Sequence, residues 1–293
     1  MTTTIAQAFQ QLKTNINITS LQTSTVSTRQ QNIRQVLDSG LTVTDSFLTG
    51  SYSRSTLIAP LAEADIDIFV VLDSQYFHNY NNQNGGPAGL LDLVKRTLRK
   101  TYTRTPDISR NGQAVTIRFD DFMVDIVPSF NRQGGGYLIP NSLTQSWIST
   151  DPKKHAQILS DMNSSHNNDL VPLIKMIKAW NKNNGTYFLS FHLEVLSFII
   201  FNKVTISDYP SGMRFYFDKA RDLVTKQNPD PAGYGGDVGY YLNTADKIKD
   251  AVGKLQLAYE WALKAEAYAS QGNIQGSFEM WNKVFGNYFP SYR

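Results

Sequence analysis

The stretch from residue 50 to residue 73 combines a turn with a buried strand that begins with two acids. It reads GSYSRSTLIAPLAEADIDIFVVLD. Side chains alternate along a β-strand, so Asp65 and Asp67 share one face, roughly 7 Å apart. Two carboxylates at this distance repel each other unless cations lie between them. Magnesium is usually held by one or two carboxylates together with substrate phosphates. The strand therefore predicts a magnesium site.

The Gly50-Ser51 pair precedes a short predicted helix and the acidic strand. Such a turn can offer backbone N–H groups and a hydroxyl to a polyphosphate. Taken singly, both signals have ordinary structural explanations: most Gly-Ser pairs are plain turns, and Asp-x-Asp is common at strand starts. Their order and spacing favour a combined metal–nucleotide site over two unrelated features.

This order of elements resembles the nucleotidyltransferase fold of the DNA polymerase β superfamily. The resemblance implies a third carboxylate on a neighbouring strand. The segment FMVDIVP places one acid, Asp125, inside an otherwise apolar strand. Burying an unpaired acid in a strand costs free energy. A role as a metal ligand therefore explains Asp125 better than an acid placed there by chance.

Composition limits the other kinds of site. The 293 residues include no cysteine, which excludes disulfides and thiolate zinc sites. The four histidines lack the spacing of zinc ligands. No segment has the length of a membrane span, and the N-terminus lacks the pattern of a signal peptide. We therefore expect a cytoplasmic protein without membrane association.

The charge pattern bears on nucleic-acid binding. The formal net charge is +3, without a block of like charge, whereas nucleic-acid binders usually carry a strong basic excess on one face. The richest basic segment contains Lys95, Arg96, Arg99, Lys100 and Arg104. Four of these share a helix face, which is more often solvated surface. We expect that nucleic acid is not required for activity.

The predicted elements give an α+β fold. Strands at 43–48, 65–72, 113–119 and 122–127 form a mixed sheet with helices, and residues 137–140 predict another short strand. Before the sheet come an amphipathic helix at 5–12 and a second helix that Ser27 caps and Gly40 ends. Residues 76–89, rich in Asn and Gly, predict a loop, and a helix through Leu90 and Leu98 ends before Pro106. From Asp151-Pro152 onward the pattern is helical. We therefore predict a catalytic lobe at 1–150 packed against a mostly helical lobe at 151–293.

Across nearly its full length the chain resembles bacterial cGAS/DncV-like nucleotidyltransferases (CD-NTases), relatives of oligoadenylate synthetase and cyclic GMP-AMP synthase. Four blocks carry the resemblance: GSYSRSTLIAPLAEADIDIFVVL, FMVDIVPSF with YLIPNS, LIKMIKAWNK with SFHLEVL, and WNKVFGNYFP. The first lobe would thus be polymerase-β-like and the second would be oligoadenylate-synthetase-like. Many relatives have Gly-Thr where this chain has Ser55-Thr56, which implies a stiffer loop here.

The resemblance assigns roles to particular positions. Gly50 and Ser51 would hold the nucleotide triphosphate, and Asp65, Asp67 and Asp125 would be the catalytic and metal-binding acids. Lys178 would neutralise the triphosphate, with Ser190 beside it. Phe191 would lie against the base. As structural alternatives, Lys178 would be an exposed helix lysine, Phe191 a core aromatic, and Glu194 a capping or pairing residue within the helical lobe.

The implied activity is magnesium-dependent synthesis of cyclic di- or trinucleotide second messengers from nucleoside triphosphates, in bacterial anti-phage (CBASS) signalling. Two ions would take part, and manganese could substitute for magnesium. Control would come from a regulatory partner protein or from nucleotide supply. Two alternatives stay open: a linear or tRNA-tailing nucleotidyltransferase, and a nucleic-acid-activated nucleotide-binding sensor.

Overall fold

The computed structural model describes residues 3–104 and 107–293; Pro106 lies outside these residues. The α-helices in the described ranges are α1 (Ile5–Asn15), α2 (Ser20–Gly40), α3 (Gly50–Ser53), α4 (Ser74–Tyr80), α5 (Gly86–Thr101), α6 (Pro152–Ser165), α7 (Leu170–Asn183), α8 (Ser190–Ile200), α9 (Tyr209–Leu223), α10 (Ala245–Ser270) and α11 (Ile274–Phe285). The β-strands are β1 (Val43–Thr49), β2 (Asp65–Leu72), β3 (Asp107–Asn111), β4 (Ala114–Arg118), β5 (Met123–Asn131), β6 (Tyr137–Asn141) and β7 (Ser146–Thr150). Short 3₁₀ turns occur at Leu61–Glu63 and Gly286–Tyr288.

Contacts divide the chain into two compact units, residues 18–156 and residues 1–17 with 157–293. The division falls inside α6, and it places α1 with the helices of the C-terminal part. The lobe boundary at residue 150 stays a prediction. Throughout the described ranges, no helix combines the length and apolar character needed to cross a bilayer.

The unit of residues 18–156 is built on a mixed sheet, which confirms the predicted fold class for this part of the chain. The strand order is β1-β2-β5-β4-β3, and β5 also pairs with β6, which pairs with β7. Only β2 and β5 run parallel among the described strand pairs. A parallel pair must be joined by a crossover, and α4, α5 and the β3–β4 hairpin lie between these two strands in the chain.

Alternation along β2 explains why its sequence is apolar after the acids. Ile66, Ile68, Val70 and Leu72 join a core that includes residues of α2 and α5. On the opposite face, Phe69 and Val71 pack with Tyr137 and Ile139 of β6. Because β2 is covered on both faces beyond Asp67, it needs apolar residues at successive positions.

The unit of residues 1–17 and 157–293 is helical. Phe9 of α1 lies edge-on to Trp281 of α11 with ring centroids 4.9 Å apart, and also contacts Phe285 and Phe289. Helix α8 is apolar on nearly every side, and residues 192–198 are all buried. Such a sequence predicts a fully enclosed helix.

Several local predictions were wrong. Helix α2 begins at Ser20, not after Ser27, because Thr19 and Gln22 form a capping box. Residues 76–89 are not a single loop: α4 ends at Tyr80 and α5 begins at Gly86. Strands β3 and β7 were not predicted.

Candidate functional site

The parallel pairing of β2 and β5 brings two of the predicted acids together. In the strand register, Asp67 lies directly opposite Asp125, and Asp65 lies opposite Met123. Neighbouring strands are about 4.8 Å apart. All three acids point away from the core formed with α2 and α5, since the intervening residues Ile66 and Val124 occupy that core. The sheet thus gathers three carboxylates on one face, at the start of two adjacent strands.

The surroundings of Asp65 and Asp67 disfavour the ionised forms of these two acids. Burial raises the pKa of Asp67 to about 7, with further contributions from the charges of Asp125 and Asp65, and Arg54 opposes this shift. Burial also raises the pKa of Asp65, as does the charge of Asp125, while Arg118 acts in the opposite direction. The local cations therefore do not compensate the carboxylate charge, which is the condition under which a bound metal ion is favourable.

The Gly50-Ser51 turn lies against this cluster. Gly50 follows β1 and has φ of +66°, and a Cβ at this position would overlap Oδ2 of Asp67. Only glycine can provide both the left-handed conformation and this close approach. The carbonyl of Ser51 accepts the N–H groups of Thr56 (2.9 Å) and Leu57 (3.1 Å). These hydrogen bonds hold the turn in one conformation, and the backbone of Gly50 lies against the carboxylate of Asp67.

Asp125 has a specific partner on β4. The hydroxyl of Thr116 donates to Oδ1 of Asp125 at 2.5 Å, and the two residues are opposite each other in the antiparallel register. This contact fixes the carboxylate group and was not anticipated from the sequence. A signal was nevertheless present, because Thr116 is the single hydroxyl in the apolar run AVTI.

The carboxylates fit a divalent metal only in part. In residues 3–104 and 107–293, no three acidic or histidine side chains are close enough to form a ready-made metal site. The available donors are nevertheless all carboxylate oxygens, which suit magnesium and manganese. Magnesium commonly completes its coordination with substrate phosphates and water, so an incomplete protein ligand set agrees with a metal–nucleotide site.

The remaining predicted residues lie on α7 and α8. Lys178 is 4% exposed and Glu194 is fully buried; the Lys178 ammonium donates to Oε1 of Glu194 at 2.7 Å. Ser190 is exposed at the first position of α8, and Phe191 is half-buried. The pairing of Glu194 inside the helical unit is confirmed, whereas the exposed-lysine alternative for Lys178 is wrong. The nucleotide roles of Lys178, Ser190 and Phe191 stay predictions.

Lys175 is a further basic residue that the sequence reasoning missed. It lies nearly one turn before Lys178 on α7 and donates to Oδ1 of Asn17 at 2.7 Å. Its pKa is lowered by burial and, to a lesser extent, by the charge of Lys178. Two ammonium groups close enough to interact favour an anion beside them. The three-residue spacing of the two lysines on a helix was the available signal.

Comparison with known proteins identifies the family. The profile of the Second Messenger Oligonucleotide or Dinucleotide Synthetase (SMODS) domain matches residues 1–163. The "Cyclic AMP-AMP-AMP synthase" of an Acinetobacter strain is 27% identical over 263 residues, covering 84% of this chain and 72% of that protein.

Solved structures share the fold. CdnC of E. coli MS115-1 with ATP superposes with a TM-score of 0.78 at 19% identity, covering 98% of this chain and 99% of that chain. The same protein in complex with HORMA-deltaN gives 0.77 at 18% identity, with 98% of each chain covered. These matches confirm the polymerase-β-like fold with its helical second part. Nucleotidyltransferases of this kind generally use divalent metal ions.

The profile match over more than half of the chain confirms the resemblance that the four sequence blocks indicated. The chain belongs to the SMODS family, the bacterial cGAS/DncV-like nucleotidyltransferases that synthesise cyclic oligonucleotides from nucleoside triphosphates.

Proposed function

We propose that Asp65, Asp67 and Asp125 are the catalytic centre and that they hold two magnesium ions, for which manganese can substitute. The observation that carries this proposal is the direct opposition of Asp67 and Asp125 across parallel strands. The pKa values of Asp65 and Asp67, which burial and then the neighbouring carboxylate charges raise, support it, because a divalent cation would stabilise the ionised carboxylates. When bound, the metal ions supply charge neutralisation to the triphosphate and acidify the attacking ribose hydroxyl.

The chain's own groups would position the reacting atoms. Gly50 and Ser51 would hold the triphosphate through backbone N–H groups and the Ser51 hydroxyl, which makes no hydrogen bond within the described ranges of the chain. A carboxylate oxygen of Asp125 would orient the ribose hydroxyl and accept its proton. Such catalysis would rest mainly on positioning and charge neutralisation.

The helical unit would contribute the second group of nucleotide contacts. Lys178 would neutralise the triphosphate, with Ser190 and Lys175 beside it. The exposed N-terminus of α8 supports this role, because its N–H groups and helix dipole favour an anion. Phe191, which is half-buried at the second position of α8, would contact a base.

ATP and GTP are both supported as substrates by the solved neighbours, and ATP is the one we propose. One relative is named for a product built from three AMP units, and one solved neighbour contains ATP. We propose that this chain uses ATP and closes its product into a cyclic di- or trinucleotide. A neighbour that pairs with a HORMA protein also supports control by a partner protein.

The test combines product analysis with variants of the acids. Purified protein is incubated with ATP alone and with mixed triphosphates, and products are resolved by mass spectrometry and linkage-specific nucleases. We expect a cyclic product that contains AMP and that disappears in Asp65→Asn, Asp67→Asn and Asp125→Asn, while Asp120→Asn, at an exposed position, retains activity. Linear products alone would indicate a tailing enzyme. Activity of Asp67→Asn within tenfold of wild type would contradict the assigned centre.

A further inference from the structure

We propose that Thr116 is a positioning residue for nucleotidyl transfer: its hydroxyl fixes the carboxylate of Asp125 in the orientation needed to bind the metal. This inference rests on the proposed function of Asp125. It concerns a residue that does not itself touch substrate or metal, and whose effect would be transmitted through one hydrogen bond.

The backbone dictates where the Thr116 side chain points. On β4, Val115 and Ile117 pack into the core that includes residues of α2 and α5. Because side chains alternate, Thr116 lies on the opposite face, where the register sets it against Asp125. Thr116 is 4% exposed, so water does not readily replace this contact.

The hydrogen bond has a defined direction and leaves one oxygen available. An ionised carboxylate can only accept, so the Thr116 hydroxyl donates to Oδ1 of Asp125 at 2.5 Å. Within residues 3–104 and 107–293, Oδ2 of Asp125 accepts no side-chain hydrogen bond. One oxygen is therefore anchored by the sheet while the other can serve as a ligand. Outer groups that orient metal ligands typically contribute about 10–100-fold to metal affinity or activity.

The threonine side chain combines two properties that the position needs. Its β-branched shape suits a pleated strand, and its hydroxyl reaches across one strand spacing. Valine keeps the shape and removes the donor, whereas serine keeps the donor and removes a methyl group. The two variants therefore separate hydrogen bonding from packing.

Thr97 provides a matched control for the loss of a buried hydroxyl. It is also 4% exposed, and its hydroxyl donates to the carbonyl of Leu93 on α5 at 3.0 Å. Thr97→Val removes the same group at the same burial, away from the acids. Any general cost of burying valine in place of threonine would appear equally in both variants.

The experiment titrates Mn²⁺ into the 293-residue chain, with binding followed by electron paramagnetic resonance, and measures the Mn²⁺ dependence of turnover with ATP. For Thr116→Val we expect the half-saturating Mn²⁺ concentration to rise about tenfold or more, with the KM for ATP at saturating Mn²⁺ changed by less than about threefold. Thr116→Ser should restore wild-type behaviour, and Thr97→Val should match wild type. Melting temperatures verify folding; Thr116→Ala serves as a second donor-free variant if Thr116→Val does not fold.

The outcomes separate this inference from the function on which it rests. If Thr116→Val and Thr116→Ala bind Mn²⁺ within twofold of wild type while Asp125→Asn loses binding and turnover, the role of Thr116 is refuted and the catalytic centre stands. If Asp125→Asn itself retains Mn²⁺ binding and turnover, the proposed centre is refuted. Failure of serine to rescue would assign the effect to packing.

Discussion

Ser55 occupies an unfavourable backbone conformation in the loop that follows Gly50-Ser51. Its φ is +57°, in the left-handed region that favours glycine. The following residue, Thr56, is fully buried. The surrounding hydrogen bonds to Ser51 therefore hold Ser55 where a side chain costs roughly 1–2 kcal/mol.

Substitutions of Ser55 should separate backbone conformation from side-chain chemistry. Ser55→Gly should keep turnover and leave stability unchanged or slightly raised, because relief of the strain is offset by the greater freedom of the unfolded chain. Ser55→Val should lower both stability and turnover, since a β-branched residue is strongly disfavoured at positive φ. Thermal melting and initial rates measure these effects. Ser53→Val, two residues earlier and exposed, is the control; equal effects at both positions would contradict the prediction.

Asp67 should make the metal-free protein less stable at high pH. Its pKa is raised from 3.8 to about 7, so folding favours the protonated form. The resulting stabilisation is complete below pH 3.8 and is lost as pH rises through about 7. Asp67→Asn stays neutral throughout, so in excess chelator it should melt above wild type at pH 8, by about 2–4 °C for each kcal/mol gained. The difference should vanish near pH 4.

Melting curves at several pH values in chelator provide the measurement. Asp120→Asn, in the exposed turn between β4 and β5, supplies the same chemical change away from the cluster and should show no such pH dependence. If Asp67→Asn melts below wild type at pH 8, burial and the neighbouring carboxylate charges do not destabilise the ionised form of Asp67, and the prediction is wrong. Turnover of Asp67→Asn is measured separately, because this substitution should raise stability at pH 8 and abolish activity.

At the level of secondary-structure elements, α7 and α8 are joined by the buried pair of Lys178 and Glu194. Removing one partner of such a pair leaves an uncompensated charge and typically costs about 3–5 kcal/mol. Lys178→Ala should therefore lower stability as well as nucleotide affinity. Replacing both members by apolar residues is often neutral, so Lys178→Met with Glu194→Leu should regain most of the stability.

The double variant isolates the proposed triphosphate contact. If Lys178 binds phosphate, the KM for ATP should stay raised by about one to two decades in the double variant, even though its stability is regained. The reason is that charge-assisted hydrogen bonds contribute roughly 1.5–3 kcal/mol. Lys264→Ala, at an exposed position of α10, controls for the loss of a lysine charge. A wild-type KM for ATP in the double variant would show that Lys178 and Glu194 have only a structural role.

The sequence predicted those elements whose side-chain pattern is decided locally. Apolar residues at helical spacing located α7, and continuous apolar runs located α8 and β2. The start of α2 was missed because its first turns carry Ser, Thr and Gln, whose caps rather than apolar contacts begin the helix. Strand β3 was missed because it forms the edge of its sheet, where few positions are buried.

The candidate site could be predicted from the sequence only in part, because only some of its contacts are decided locally. The acids of β2 share a face by local alternation, so their proximity followed from the sequence. The opposition of Asp67 to Asp125 and of Thr116 to Asp125 depends on strand register, which long-range pairing decides. The burial of Lys178 likewise depends on how α7 packs with α8. Contacts of this kind require the folded structure.

At the scale of the whole molecule, the distribution of charge bears on how activity is controlled. The net charge is +3 over 293 residues. Arg96, Arg99 and Lys100 are exposed on α5, and two of them lie in its last turn, where basic side chains interact favourably with the helix dipole. Arg99 also donates to the carbonyl of Ile108 at 3.4 Å. These local interactions account for Arg99 and Lys100 without a nucleic-acid ligand.

We therefore expect purified, nuclease-treated protein to form product without added DNA or RNA. Proteins that bind nucleic acid neutralise many phosphates, and each such contact steepens the salt dependence of binding. The measurement is turnover with and without duplex DNA and RNA at two salt concentrations, with Arg96→Ala/Lys100→Ala as the variant of the α5 face and Lys264→Ala as its control. Stimulation of tenfold or more that weakens with salt and is lost in the α5 variant would contradict the prediction and assign a nucleic-acid surface to α5. A flat response would leave control to a partner protein or to nucleotide supply, because neither requires a surface that neutralises many phosphates.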